Sequence, residues 1–349
     1  MSADYIYEDA KLIAESNINW NKLDDKTVMI VGATGYVPQY FVHGLLMHND
    51  IFKTDIKVVA VCRNRAKAMD RFGNYLNRDD FELIIHDVRE KQSYTNSLDY
   101  IINAASPAGV KASLENPVAT YDTNVLGNKN YLELAEQKKA QYLYLSSVDV
   151  YGRMDTNARL QEDKLGSVDI LNVRNVYACA KRAAETLCAC YSARGVKCNI
   201  VRPSQIMGGG IALDDGRLHI DFISQMKNGD EIVLKGDGTP RRTFIYVTDA
   251  VAAMLTVMLE GESGQAYNIC AESGEASVLE LSQIMSGCVK GRHIAIKYNM
   301  ETRKTDPAVT QVVSNVCASS QKIRALGWKP QFTLEESAKR MMCYYGLEV

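Results

Sequence analysis

The chain has 349 residues, 46% hydrophobic and 23% charged, a balance that suits about two packed domains and excludes disordered, collagenous and coiled-coil architectures. Forty basic residues against forty-two acidic ones leave a formal net charge of −2, so no global basic field exists to hold nucleic acid by counterion release. Nine cysteines, an odd set with no CxxC pair and no histidine at ligand spacing, read as reduced, packed thiols, and no metal site is expected.

Within residues 1–26, Tyr5, Ile6, Leu12, Ile13 and Ile18 are spaced among acids and amides, which predicts an accessory amphipathic helix laid on a domain complete without it. Asp4, Glu8, Asp9 and Lys11 stand where a signal peptide would need apolar residues, and no run of about 18 apolar residues occurs; the expectation is a cytoplasmic protein with no membrane partner. From Thr27, short apolar runs alternate with helical patterns: Val28–Val31, Lys57–Val61, Glu82–Ile85, Tyr100–Asn103, Tyr142–Leu145 and Asn199–Val201. Six such strands predict a Rossmann-type α/β fold over 27–203, a doubly wound parallel sheet buried on both faces, with its ligand at the carboxyl ends of the strands. After Pro203 the alternation stops and glycines become dense, so a smaller substrate lobe is expected over 204–349. That lobe is discontinuous, because the apolar helix Val247–Leu259 makes 244–270 a segment that returns to the first domain.

The first strand runs into Gly32-Ala33-Thr34-Gly35-Tyr36-Val37-Pro38 and then a helical pattern. Glycines at 32 and 35 let the backbone turn tightly and approach a pyrophosphate, which the helix dipole favours, so Gly32, Thr34, Gly35, Tyr36 and Val37 are candidate dinucleotide contacts. Pro38 replaces the motif's third glycine and is tolerated in a first helical turn. At the end of the second strand Cys62 and Arg63 stand where an NAD enzyme carries an acid for the ribose hydroxyls. A guanidinium there can pair with a 2′-phosphate, which leans the NAD(P) expectation toward NADP; stacking of Arg63 on adenine would suit either cofactor. Asp87, after the third strand, is a candidate partner of the adenine amine or a solvated strand end.

Tyr177 and Lys181 are four residues apart in a helical segment and so share a face. A nearby ammonium favours phenolate, which is what a base for a sugar hydroxyl requires. Ser147 follows the strand Tyr142–Leu145, at another carboxyl end, and can hydrogen-bond the same oxygen. With Asn103-Ala104-Ala105-Ser106, Asn124, Gly127, Arg202-Pro203, Arg242-Thr243-Phe244 and Leu326-Gly327-Trp328, the chain resembles the extended short-chain dehydrogenase/reductase family of nucleotide-sugar epimerases, dehydratases and decarboxylases. The resemblance implies that Tyr177 removes the proton from a sugar hydroxyl, usually at C4, while hydride goes to the nicotinamide. It implies that Lys181 lowers the tyrosine pKa and holds the nicotinamide ribose, with Ser147 as the catalytic hydroxyl. Ala104, Ala105 and Asn124 would border the cofactor, and Ser106, Ser147 and Gln205 the substrate.

Val148 and Asp149 bear on the reaction. Dehydratases of this family place an acid or hydroxyl at the Val148 position and Glu at the Asp149 position; valine transfers no proton, so epimerisation is the preferred expectation, while Asp149 keeps C5 chemistry open. Asp163, Asp169, Arg174, Arg182 and the stretch Asp214–Ile223 resemble UDP-glucuronate decarboxylases, although Gln205, Gly210 and Asp149 depart from that pattern. Arg217 and Arg242 are expected to hold a diphosphate. His219 and His86 read as polar surface residues. A non-catalytic dinucleotide-sensing regulator is the rival of another class, disfavoured because Tyr177, Lys181 and Ser147 are all present. The resemblance further implies a homodimer paired through helices near 118–138 and 177–193, with a nucleoside-diphosphate sugar as the ligand.

Overall fold

The computed structural model describes residues 2–107, 110–154, 158–300 and 315–349. In chain order the elements are α1 (Ser2–Ala14), β1 (Thr27–Val31), α2 (Tyr36–Phe52), β2 (Lys57–Cys62), α3 (Arg65–Phe72), β3 (Phe81–Ile85), β4 (Tyr100–Asn103), α4 (Val110–Glu115), α5 (Pro117–Lys138), β5 (Gln141–Leu145), α6 (Val176–Ala193) and β6 (Cys198–Pro203). They continue with β7 (Gln205–Met207), α7 (Leu218–Asn228), β8 (Glu231–Leu234), β9 (Arg241–Tyr246), α8 (Val247–Glu260), β10 (Ala266–Ile269), β11 (Glu275–Ser277), α9 (Val278–Cys288), β12 (Ala295–Tyr298) and β13 (Asn315–Val316). Two helices close the chain, α10 (Gln321–Arg324) and α11 (Leu334–Tyr344).

Seven strands form one parallel sheet in the order β10-β6-β5-β4-β1-β2-β3. β1 is buried throughout, as a strand covered by helices on both faces must be, which is why its sequence reads as a continuous apolar run. Pairing sets Val31 opposite both Val61 and Asn103, so the ends of β1, β2 and β4 open at one level. Strand order reverses at β1, with β2 on one side and β4 on the other, and the crevice outside that point is where a doubly wound sheet binds its ligand. β10 brings a seventh strand to the sheet by pairing with β6. A smaller sheet of β7, β9, β11 and β13 and the pair β8 and β12 lie beyond β6 in the chain.

Two expectations are corrected. The amphipathic N-terminal segment is helical only to Ala14, and its Asp9 is buried, accepting hydrogen bonds from Tyr246 and from Arg340 of α11. The helix is thereby tied to both β9 and the C-terminal helix. His219 is no surface residue. It lies fully buried in α7, on the face that also carries Phe222, Ile223 and Met226, with its ring edge-on to Phe244. Burial, with Arg217 beside it, drives its pKa down to about 3, so the imidazole is neutral.

Candidate active site

The glycine loop is built by contact with its neighbours. Gly32 has φ +79°, and its amide and that of Ala33 donate to Val61 O at 2.9 and 3.0 Å. A Cβ on Gly32 would sit 2.8 Å from Ala105 Cα, and one on Gly35 would sit 2.8 Å from Pro38 Cγ, so both positions require glycine. The first explains why Ala104 and Ala105 lie against the loop; the second shows Pro38 packing on the turn itself. Gly35 caps α2 without a side chain, leaving the first-turn amides of Tyr36 and Val37 and the helix dipole for an anion. This cradle fits the pyrophosphate of a dinucleotide, and Gly32, Thr34, Gly35, Tyr36 and Val37 would hold it. Arg71, which the sequence reading missed, donates to Thr34 O and Gly35 O from behind.

At the end of β2, Cys62 is buried and Arg63 is exposed, 4.0 Å from Asp87. Asp87 is bound more closely by Arg89 at 2.7 Å, and that hydrogen bond holds its carboxyl at about 2. Its carboxylate is therefore ionised at the edge where the adenosine would lie.

The catalytic candidates meet on α6 and the end of β5. Lys181, almost wholly buried, donates to Leu145 O at 2.6 Å; its Nζ stands 4.8 Å from the Tyr144 ring and 5.6 Å from that of Tyr177. Burial lowers its pKa to about 7, against the fields of Glu185, Cys188 and Asp149. Tyr177 departs from expectation. Its phenol is raised well above the usual range by burial and then by Asp149, and the opposing influences are a hydrogen bond with Ser147 and the field of Arg217. The ammonium therefore does not make Tyr177 a phenolate in the ligand-free protein. Ser147 donates to Asp149 Oδ2 at 3.0 Å, which places Ser147 between carboxylate and phenol. Asp149 is exposed at the mouth of the site, and the protein packed around it desolvates its carboxyl enough to raise the pKa, against Ser147, Arg242 and Lys181. Val148 beside it is buried. Asn124 lies below, bonded to Thr120 O in its own helix and accepting from the Tyr144 hydroxyl at 3.4 Å.

Behind these residues lies a network whose pairing no local pattern encodes, although Arg202-Pro203 is among the motifs that carry the resemblance. Glu185, one turn after Lys181, accepts from Ser146 at 2.5 Å and pairs in two-pronged fashion with Arg202 of β6 at 2.8 and 3.0 Å. Arg202 also reaches Tyr151 at 3.1 Å. This network ties the loop bearing Ser147 to the helix bearing Tyr177 and Lys181.

On the substrate side, Arg217 precedes α7, stacks over Tyr36 at 5.5 Å and lies 3.3 Å from Asp215. Its Nη1 and the Tyr36 hydroxyl are buried without a hydrogen-bond partner among the described residues, which marks a polar recess between the glycine loop and α7. Arg242 of β9 lies near enough to Asp149 for its charge to favour the carboxylate. Gln205 of β7 is half-buried beside Phe244, and the Ser106 hydroxyl donates to Pro107 O. His86 is half-buried against Glu90 O. Among the described residues no group of three or more His, Cys, Asp or Glu could hold a metal ion, and no helix is long and apolar enough to cross a membrane.

A dinucleotide cradle opening beside a tyrosine, a lysine and a serine places the protein among NAD-dependent enzymes of nucleotide-sugar chemistry. Residues 28–270 match the model of the NAD dependent epimerase/dehydratase family, and the chain belongs to that family. UDP-glucuronic acid decarboxylase 1 of Danio rerio is 29% identical over 333 residues, covering 93% of this chain and 74% of that protein. UDP-glucuronic acid decarboxylase 5 of Arabidopsis thaliana is 31% identical over 315 residues, covering 90% and 87%. In fold, the chain is similar to UDP-N-acetylglucosamine 4-epimerase from Methanobrevibacter ruminantium, with TM-score 0.76 and 20% identity over 92% of this chain and 98% of that one. It is also similar to dTDP-glucose 4,6-dehydratase from Bacillus anthracis in complex with NAD, with TM-score 0.72 and 18% identity over 92% and 96%.

Proposed function

We propose that the protein decarboxylates a nucleoside-diphosphate-linked uronic acid, with UDP-glucuronate the first substrate to test. The observation that carries this is the pairing of buried Val148 with ionisable Asp149 next to Ser147 and Tyr177. Dehydration needs a proton donor for a departing C6 hydroxyl, and valine is none. Epimerisation at C4 needs no carboxylate at Asp149. Decarboxylation needs no leaving-group acid but does need a proton returned to C5. The relatives named UDP-glucuronic acid decarboxylase, alike over about nine-tenths of this chain, favour the same reaction over the epimerisation preferred from sequence.

In this reading Tyr177 first gives its phenol proton to solvent as substrate and cofactor bind, and the resulting phenolate takes the proton of the C4 hydroxyl while Ser147 hydrogen-bonds the same oxygen. Gly32, Thr34, Gly35, Tyr36 and Val37 would hold the dinucleotide, whose nicotinamide would supply the reversible hydride acceptor for C4. A ketone at C4 makes the C6 carboxylate that of a β-keto acid. The C5–C6 bond then breaks, its electron pair moves toward the C4 oxygen held by Tyr177 and Ser147, and carbon dioxide leaves. Asp149 supplies the proton that C5 takes up, and Tyr177 returns its proton as the ketone is reduced. Since desolvation by the surrounding protein raises the Asp149 carboxyl, it holds a proton more readily than an ordinary aspartate. Lys181 supports a phenolate once the cleft fills, and Arg217 and Arg242 hold the diphosphate.

We further infer NAD as the cofactor in place of the expected NADP, because the Asp87 carboxylate beside Arg63 opposes a 2′-phosphate. A homodimer through α5 and α6 is supported by Val118, Tyr121 and Leu126, which are apolar and exposed on α5. The test of function is mass spectrometry of UDP-glucuronate after incubation with the protein and NAD. A UDP-pentose is expected; a C4 epimer that retains its carboxylate would replace this reading with epimerisation.

A further inference from the structure

Arg71 lies in the last turn of α3, where a basic side chain ordinarily serves the carbonyls of its own helix. It turns elsewhere. Nη1 donates to Thr34 O at 2.8 Å and Gly35 O at 3.0 Å, and Nη2 reaches Gly210 O at 3.4 Å. A trans peptide is planar and its N–H points opposite to its C=O. Fixing Thr34 O and Gly35 O therefore fixes the direction of the Gly35 and Tyr36 amides on the other side of the loop. The Gly35 amide closes the turn onto Gly32 O at 2.8 Å, and that of Tyr36 is the first of α2.

The third contact reaches a strap of the substrate side. Gly210 has φ +86°, Tyr40 donates to Gly209 O at 3.1 Å, and Tyr345 bonds both the amide and the carbonyl of Ile211 at 3.0 and 2.7 Å. This strap leads to Arg217 and α7. One guanidinium thus spans the glycine loop and the segment that carries the diphosphate candidate.

Charge gives an independent reason. No carboxylate among the described residues is ion-paired with Arg71, although the side chain is partly buried and stands behind the positive end of α2. The carboxylate field on Arg71 comes from its chain neighbour Asp70, without an ion pair, so two positive features converge where an anion in the loop would be stabilised.

We propose that Arg71 is a positioning residue for the diphosphate linkage of the dinucleotide, aiming the loop amides and adding positive charge behind them while joining the loop to the substrate strap. This rests on the dinucleotide reading of the glycine loop. The test uses the full chain, freed of cofactor, as wild type, Arg71→Met and Arg71→Lys. Calorimetric NAD affinity is measured at low and high salt, alongside thermal unfolding without ligand. Arg71→Met is expected to weaken NAD binding about tenfold or more and to flatten its salt dependence, with Arg71→Lys between the two because it keeps the charge without the fork. Wild-type affinity and salt dependence in a folded Arg71→Met protein would overturn the proposal. If that variant does not fold, Arg71→Lys decides alone: NAD binding weakened severalfold supports the proposal and unchanged binding overturns it. Failure of the wild type to bind NAD would remove the cofactor reading and this inference with it.

Discussion

Replacing His219 by leucine tests how the protein pays for a buried imidazole. Both ring nitrogens are buried without hydrogen-bond partners among the described residues, and burial, then Arg217, lowers the pKa from 6.5 to about 3. The unfolded chain therefore binds a proton near pH 6.5 that the native protein refuses until pH is far lower, so stability present above 6.5 is lost as pH falls toward 3. Integrating between pH 7 and pH 5 gives a loss of about 2 kcal/mol from this one group. His43, lowered to about 4 by burial and then Arg71, acts in the same window, so the quantity to measure is the difference between proteins and not either curve alone. Urea unfolding followed by Trp20 and Trp328 fluorescence at the two pH values should show His219→Leu losing about 2 kcal/mol less than wild type. Equal losses would refute the account, because they would mean that His219 is protonated in the native protein or reachable by water.

Tyr177→Phe should lower turnover by about 10²- to 10⁴-fold while leaving NAD affinity near wild type, read by steady-state kinetics and calorimetry. Gly32→Ala forces a side chain into φ +79° and against Ala105 at 2.8 Å; a cost of about 1–3 kcal/mol and loss of bound dinucleotide are expected by thermal unfolding and cofactor content. Glu185→Ala strands Arg202, 5% exposed, without its carboxylate. A loss of about 3–5 kcal/mol in chemical denaturation is expected, larger than for any exposed pair such as Lys339 with Glu335.

The parallel sheet was legible because strands buried on both faces leave continuous apolar runs, and β1, β2 and β4 begin within a residue or so of their expected starts. The glycine loop and the Tyr177–Lys181 spacing were legible because backbone approach and helix geometry dictate them locally. The Tyr177 pKa was not: spacing reports that Lys181 shares its face, while the sign of the shift depends on burial and on Asp149, which arrives from the turn after β5. His219 differs from its surface expectation although 219, 222, 223 and 226 have the period of a buried helix face, because a polar side chain interrupts the apolar pattern of that face. Arg71 and the bridge from Ser146 through Glu185 to Arg202 join residues between 17 and 139 positions apart, and no local pattern encodes such contacts.

Carbon–carbon cleavage after transient oxidation at C4 is decided by UDP-glucuronate labelled with carbon-13 at C6. Labelled carbon dioxide should be released in equal amount to an unlabelled UDP-pentose, with no net consumption of NAD. Label retained in a nucleotide sugar, with the C4 configuration inverted, would contradict it.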